Sequence, residues 1–174
     1  MIKNNLENEL DNMIWKGNRS RPNVSGLKYI HKSPTSNETT RVGNPCLSYT
    51  FGLVRHYIGD KKLHLSNISL KYPQVYELAQ KYIKEIEPDF KYTTITINKN
   101  ICCLPHKDKY NKNKSLLISF GDFTEGGNLY VEEGNETKCY YNKDTPVIFS
   151  GNNIHWNDEP NGKRYSLVFY NLDS

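Results

Sequence analysis

The sequence predicts an α+β protein, a barrel or jelly roll of strands braced by helices, on three observations. Two stretches before residue 90 carry apolar residues at helical spacing. After residue 90 the apolar pattern changes to period two in short runs. Gly, Asn, Asp and Glu divide that half into about eight closely spaced runs, as in a sheet closed on itself or on a second sheet.

Taken in order, Ile2, Leu6, Leu10 and Ile14 lie four apart and predict an amphipathic helix over residues 2–16, packed outside the core. Residues 18–44 are rich in Ser, Thr, Asn, Arg and Pro around one strand-like run, "GLKYIH", and read as an irregular excursion without a domain boundary. "CLSYTFGLVRHYI" has the aromatic and β-branched content of strands. In "YPQVYELAQKYIKEIEPDF", Val75, Leu78, Ala79, Tyr82, Ile83 and Ile86 share one helical face, with Pro73 near the start and Pro88 at the end. "KYTTITIN", "SLLISF", "GNLYVE", "TKCYYN", "PVIFSG" and "RYSLVFYN" follow as strands. "GDFTEGGNL" reads as a tight turn in which Gly126 and Gly127 supply positive φ, with no direct catalytic role. We expect one domain over residues 1–174, with a helix and irregular extension at 1–44 and the core at 45–171.

Thirteen tyrosines and an aromatic content of 12% supply a core, so the mean hydropathy of −0.75 reflects abundant Asn and Lys. No apolar stretch approaches a signal h-region or a membrane span, which predicts a soluble, intracellular protein in cytoplasm or nucleus. Cys46, Cys102, Cys103 and Cys139 form no CxxC pair; structural thiols are the expectation, not a zinc knuckle. The net charge of +4 is compatible with a polyanionic partner.

The chemistry-bearing residues lie in the β half. His106 and Asp108 stand two apart after a predicted strand, and residues i and i+2 at a strand end point to one side. About fifty residues later, an apolar strand and a Ser-Gly turn deliver His155. Two histidines and one carboxylate on one face are the ligand set of non-haem Fe(II) oxygenases. Arg164 heads the last strong strand with Ser166 on its face, so a guanidinium and a hydroxyl can together bind the far carboxyl of a dicarboxylate. Taken singly, His106 and Asp108 also fit a solvated loop, and His155 a buried structural histidine.

His-x-Asp, then His, then Arg-x-Ser in this order resembles the Fe(II)/2-oxoglutarate-dependent dioxygenases, whose fold is a double-stranded β-helix, a cupin-like jelly roll. "FKYTTITINKN", "PHKDKYNKNKSLLISFGDFTEGGNLYV" and "VIFSGNNIHWNDEPNGKRYSLVFY" are similar to the TET/JBP-like branch, especially its small single-domain members from protists, fungi and large viruses. The likeness spans about residues 45–171 and leaves 1–44 unmatched; the cysteine-rich, zinc-binding parts of animal TET proteins have no counterpart here. The resemblance implies an enzyme in which His106, Asp108 and His155 hold Fe(II) while Arg164 and Ser166 hold 2-oxoglutarate, with dioxygen as the other co-substrate. Asn98 matches a polar co-substrate contact or is a turn residue, and Asn111 and Ser115 contact the co-substrate or cap the loop.

A methylated nucleobase, 5-methylcytosine or thymine in DNA or RNA, is the leading substrate on this resemblance. Lys107, Lys109, Lys112 and Lys114 crowd eight residues where about one lysine is expected by chance, which suits phosphate contacts or a merely solvated loop. Tyr110, Trp156, Tyr57 and Arg55 are further candidates for the substrate pocket, with core packing as their alternative. The competing readings are a hydroxylase of a protein side chain or small metabolite and a non-catalytic jelly-roll binding module. A monomer is favoured.

Overall fold

The computed structural model describes residues 1–18, 24–25, 30–32, 39–41, 46–55, 59, 61–109 and 111–172; Tyr57, Tyr110 and most of the excursion at 19–45 lie outside them. The elements run α1 (Ile2–Asn12), β1 (Gly17–Asn18), β2 (Val24–Ser25), β3 (Ile30–Lys32), β4 (Thr39–Arg41), β5 (Cys46–Arg55), β6 (Leu63–Leu65), α2 (Asn67–Lys71) and α3 (Pro73–Ile86). They continue with β7 (Thr94–Lys99), β8 (Cys102–Cys103), β9 (Asn111–Gly121), β10 (Leu129–Glu133), β11 (Glu136–Tyr140), β12 (Val147–Phe149), β13 (His155–Asn157) and β14 (Arg164–Leu172).

Alternation along the long strands decides how these elements stack. On one face of β5, β7, β9 and β14 stand Phe51, Ile95, Ile97, Leu116, Ile118, Phe120, Tyr165, Leu167 and Phe169, all buried. Leu6 and Leu10 of α1 and Val75, Ala79, Tyr82 and Ile83 of α3 cover that face and complete the main core. The opposite face carries Ser48, Thr96, Asn98, Ser119, Arg164 and Ser166, a polar row that two-residue periodicity forces to the other side. These strands form a seven-stranded antiparallel sheet in the order β1-β5-β7-β14-β9-β12, with β6 on β5. A second sheet, β11-β10-β13, faces the polar side and is joined to it by a smaller cluster of Leu117, Leu129, Val131, Val147 and Phe149. The result is the expected α+β jelly roll, braced on one side by helices. Among the described residues no helix is long and apolar enough to cross a membrane.

The N-terminal helix is shorter than its apolar spacing predicts. It stops at Asn12, and Met13 turns extended with φ −70° and ψ 150°. The stripe therefore does not reach Ile14, which is 67% exposed, while Met13 is buried in its place. Trp15 then stacks on Tyr49 with ring centroids 5.2 Å apart and donates from its indole N–H to the Leu10 carbonyl at 3.0 Å, fastening the chain where the helix ends. The second predicted helix holds its face, with Pro73 in its first turn. The short α2 before it, capped by the Ser66 hydroxyl, has no apolar periodicity to announce it.

The polar face of α1 is also used. Lys163 Nζ lies 3.1 Å from Glu7 and 3.1 Å from Asp11, and the Tyr165 hydroxyl donates to Asp11 at 2.6 Å. Both residues flanking Arg164 are thus fastened to α1. Burial works to raise the Asp11 pKa, but the Tyr165 hydroxyl and the Lys163 ammonium outweigh it and hold the carboxyl below its ordinary value. A depressed carboxyl stabilises the fold above its unfolded pKa and loses that contribution as pH falls through the folded value.

Two substitutions test where α1 ends. Leu10→Ala should destabilise the protein by about 2–5 kcal/mol in urea denaturation, whereas Ile14→Ala should stay within about 0.5 kcal/mol of wild type. Equal losses would return Ile14 to the buried stripe.

Candidate metal centre and anion-binding cavity

His106 follows β8, and His155 opens β13 directly opposite it. The His106 N–H donates to the His155 carbonyl at 3.1 Å and the His155 N–H returns the bond at 3.0 Å. Opposed residues of an antiparallel pair project to one side, and the two imidazole centroids are 4.4 Å apart. Asp108, two residues on, is anchored through its N–H to the Gly151 carbonyl at 2.8 Å. Its carboxylate oxygens lie 3.7 Å from His106 Nε2 and 3.4 Å from His155 Nε2. A first-row metal about 2.1 Å from each ligand atom bridges donors on the order of 3 to 4 Å apart.

The same device orients both rings. His106 Nδ1 donates to the Leu104 carbonyl at 2.7 Å, and His155 Nδ1 donates to the Asn153 carbonyl at 2.8 Å, each two residues upstream. A carbonyl only accepts, so Nδ1 carries the proton and Nε2 turns its lone pair to the shared space. Burial works to lower the His155 pKa, but Asp108 and the Asn153 carbonyl outweigh it and hold it above the ordinary imidazole value. The space between the donors therefore attracts positive charge. Two imidazoles and a carboxylate on one face, with a cavity on the other side, can hold a divalent metal and leave positions open.

That cavity encloses about 170 Å³, and its walls include all three donors together with Asn98, Arg164 and Ser166. Ser166 stands opposite Asn98 of β7 and Ser119 of β9 in the sheet register. Asn98 donates to the Ser166 hydroxyl at 3.3 Å and accepts from Ser48 at 2.7 Å, so it is a strand residue and not a turn former. Arg164 is only 2% exposed. Its Nη2 donates to Asn142 Oδ1 at 2.8 Å, its Nε has no partner, and among the described residues no carboxylate pairs with it. Burial pushes its pKa down to about 10, which leaves it cationic at neutral pH. The Asp158 carboxylate acts on it only through space, and a buried cation without a directly paired carboxylate is costly unless an anion completes it, so the donor set fits a dicarboxylate. The neighbouring Lys163 points away to Glu7 and Asp11 and takes no part.

The remaining candidates divide. Asn111 lines the cavity and donates to Asp108 Oδ2 at 3.3 Å. Ser115 is fully buried in β9 opposite Phe149, outside the cavity walls, with no partner for its hydroxyl. Arg55, Lys107 and Lys109 converge on a second, open depression of about 470 Å³ that shares Asp108, Asn111 and Tyr170 with the cavity. Lys112 and Lys114 line neither space. They lie within β9, whereas Lys107 and Lys109 precede it, and Asn113, between Lys112 and Lys114, adopts φ 63° near a register shift on β14. Trp156 belongs to the cavity wall, and its ring stacks on Tyr130 at 5.6 Å.

Sequence reasoning missed two supports. A Cβ at Gly151 would stand 2.7 Å from Asp108 Oδ2, so the Ser-Gly turn makes room for the carboxylate as well as delivering His155. Asn142, which fastens Arg164, is one of 21 asparagines and carries no local signal. The loop of Gly126 and Gly127 has the expected positive φ values, 76° and 72°, and Gly127 lies under the arginine: a Cβ there would be 2.6 Å from Nε.

No known sequence family matches the chain, and no curated protein matches it. Its structure is similar to that of an oxidoreductase of the 2OG-Fe(II) oxygenase family from Burkholderia pseudomallei, with TM-score 0.57 and 12% identity over 97% of this chain and 77% of that one. It also matches NgTET1 in complex with 5mC DNA, with TM-score 0.49 and 17% identity over 72% of this chain and 61% of that one. A prolyl-4-hydroxylase from Pseudomonas putida matches with TM-score 0.41 and 11% identity over 72% of this chain and 70% of that one. The chain thus spans less than two thirds of the NgTET1 chain. At these identities the likeness to the Burkholderia protein establishes the jelly-roll fold.

The metal assignment has a direct test in calorimetric titration with Mn(II). His106→Ala, Asp108→Ala and His155→Ala should each abolish tight binding in a folded protein. Gly151→Ala, which crowds Asp108, should weaken it by roughly tenfold or more. Wild-type affinity in His155→Ala would refute the site.

Proposed function

We propose that the protein is an Fe(II)- and 2-oxoglutarate-dependent dioxygenase that oxidises a methylated nucleobase in DNA or RNA. The observation that carries the enzyme class is the joint presence, around one small cavity, of a two-histidine, one-carboxylate face and a buried guanidinium whose Nε has no hydrogen-bond partner. Bound iron and 2-oxoglutarate would supply dioxygen activation, with the co-substrate decarboxylated to succinate and carbon dioxide while one oxygen atom enters a C–H bond of the substrate.

The chain's own residues do the rest. His106 and His155, locked as Nδ1–H tautomers, offer Nε2 to the metal, and Asp108 adds a negative charge steadied by Asn111. Arg164 and Ser166 take the far carboxylate of the co-substrate. Leu129, Phe149 and Val168 line the same cavity and keep water from the reacting centre.

The substrate class is supported by the open depression beside Asp108. Arg55, Lys107 and Lys109 bring three cations to its walls, and the Arg55 side chain is itself steadied by a 2.9 Å bond to the Lys61 carbonyl. Phosphates seated there would bring an extruded base toward the cavity. The decisive experiment incubates Fe(II)-loaded protein, 2-oxoglutarate and air with methylated and unmethylated DNA and RNA, followed by mass spectrometry of the nucleosides. Oxidised 5-methylcytosine or thymine is expected. Succinate release driven by peptides or small metabolites alone would reassign the substrate, and no oxygen uptake with any class would leave a binding module.

Two further outcomes are expected. Arg164→Ala should raise the 2-oxoglutarate requirement by roughly thirty- to thousandfold, on the order of 2 to 4 kcal/mol, with Mn(II) binding unchanged. Replacing Arg55, Lys107 and Lys109 by Gln should flatten the salt dependence of nucleic-acid binding by about one unit of slope for each phosphate no longer neutralised. Replacing Lys112 and Lys114 should change it less; the reverse order would move the phosphate track onto β9.

A further inference from the structure

Asn142 follows β11 in sequence, is 1% exposed, and has both ends of its amide engaged. Its Oδ1 accepts from Arg164 Nη2 at 2.8 Å and from the Ser119 hydroxyl. Its Nδ2 donates to the Gly127 carbonyl at 2.8 Å and to the Tyr140 carbonyl at 3.3 Å. A guanidinium only donates and a carbonyl only accepts, so the amide has one permitted orientation. The backbone is tied as well, with the Ser119 N–H donating to the Asn142 carbonyl at 3.0 Å.

We propose that Asn142 is the positioning residue of the dicarboxylate site: it holds the Arg164 guanidinium in place through a neutral acceptor and so leaves its charge free for the incoming ligand. The inference rests on the reading of Arg164 as the seat of the co-substrate's far carboxylate. An aspartate has nearly the same shape as asparagine and would hold the guanidinium at least as well. It would also neutralise it and compete with the ligand. Through Nδ2 the same amide fixes Gly127, the Cβ-less residue against Arg164 Nε. One neutral side chain thereby sets both the guanidinium and the backbone beside it.

The test separates holding the arginine from holding the fold. On Mn(II)-loaded protein, Asn142→Asp should weaken 2-oxoglutarate binding by roughly ten- to hundredfold in calorimetry, with Mn(II) affinity unchanged even though the melting temperature falls as the Gly127 and Tyr140 carbonyls lose their donor. Should that variant fail to fold, Asn142→Ser decides. It carries an uncharged acceptor on a shorter arm, and should lose roughly threefold to tenfold in 2-oxoglutarate affinity, again with Mn(II) affinity unchanged. A folded Asn142→Asp that binds 2-oxoglutarate within twofold of wild type would overturn the proposal, as would an Asn142→Ser of wild-type affinity when the aspartate variant does not fold. A parallel fall in melting temperature, Mn(II) affinity and 2-oxoglutarate affinity would reduce Asn142 to a structural role. Wild-type protein that binds Mn(II) but no 2-oxoglutarate would instead remove the reading of Arg164, and this inference with it.

Discussion

Arg164 is a full charge in a place where charge is expensive, and among the described residues no carboxylate pairs with it directly, Asp158 acting only through space. Removing an ion from water costs several kcal/mol unless a partner replaces the lost hydration. The architecture around the arginine is intelligible as support for that buried charge. Its strand lies between β7 and β9, near the middle of the large sheet. Its sequence neighbours, Lys163 and Tyr165, are fastened to α1 by Glu7 and Asp11. Its side chain meets the neutral oxygen of Asn142 and the Cβ-less backbone of Gly127. Helix α1 is therefore more than a cover for apolar surface, since the acids on its polar face hold the strand that carries the guanidinium.

The large sheet serves two opposite environments at once. Its apolar face is sealed by helices, which lets its other face be polar without loss of a core. Ser48, Asn98, Ser166 and Ser119 occupy successive strands across that inner face; the first three are joined by hydrogen bonds through the Asn98 amide, and the Ser119 hydroxyl donates to Asn142. A polar row of this kind inside a jelly roll needs a reason, because buried polar groups stabilise only when their partners are in place. The cavity that Asn98 and Ser166 line, with His106, Asp108 and His155 on its wall, is that reason.

The candidate metal face is built differently, from short local devices. Each histidine is oriented by a carbonyl two residues upstream in its own chain segment, and the two segments are joined by a reciprocal pair of backbone bonds. Positions are thus set by main chain and not by long side-chain networks, which suits a site that keeps one side open. Only the carboxylate depends on a distant concession, the missing Cβ of Gly151.

The sequence by itself determined the fold class, the face of the second long helix and the candidate residues that the structure brings to one cavity. Period-two runs must present alternate sides, and His106, Asp108, His155, Arg164 and Ser166 each sit where such a run begins or ends. These are local consequences of backbone geometry, so one chain segment suffices to read them. Only the tertiary structure decided that the helix stops before Ile14, that Ser115 lies outside the cavity and that the four lysines divide into two pairs. Each of those outcomes turns on where a helix breaks or on how distant elements meet, which composition and spacing do not encode. Asn142 is the clearest case, because nothing in "CYYNKD" distinguishes it from twenty other asparagines. Its meaning comes from three partners 15 to 23 residues away in sequence, brought to it by the pairing of strands.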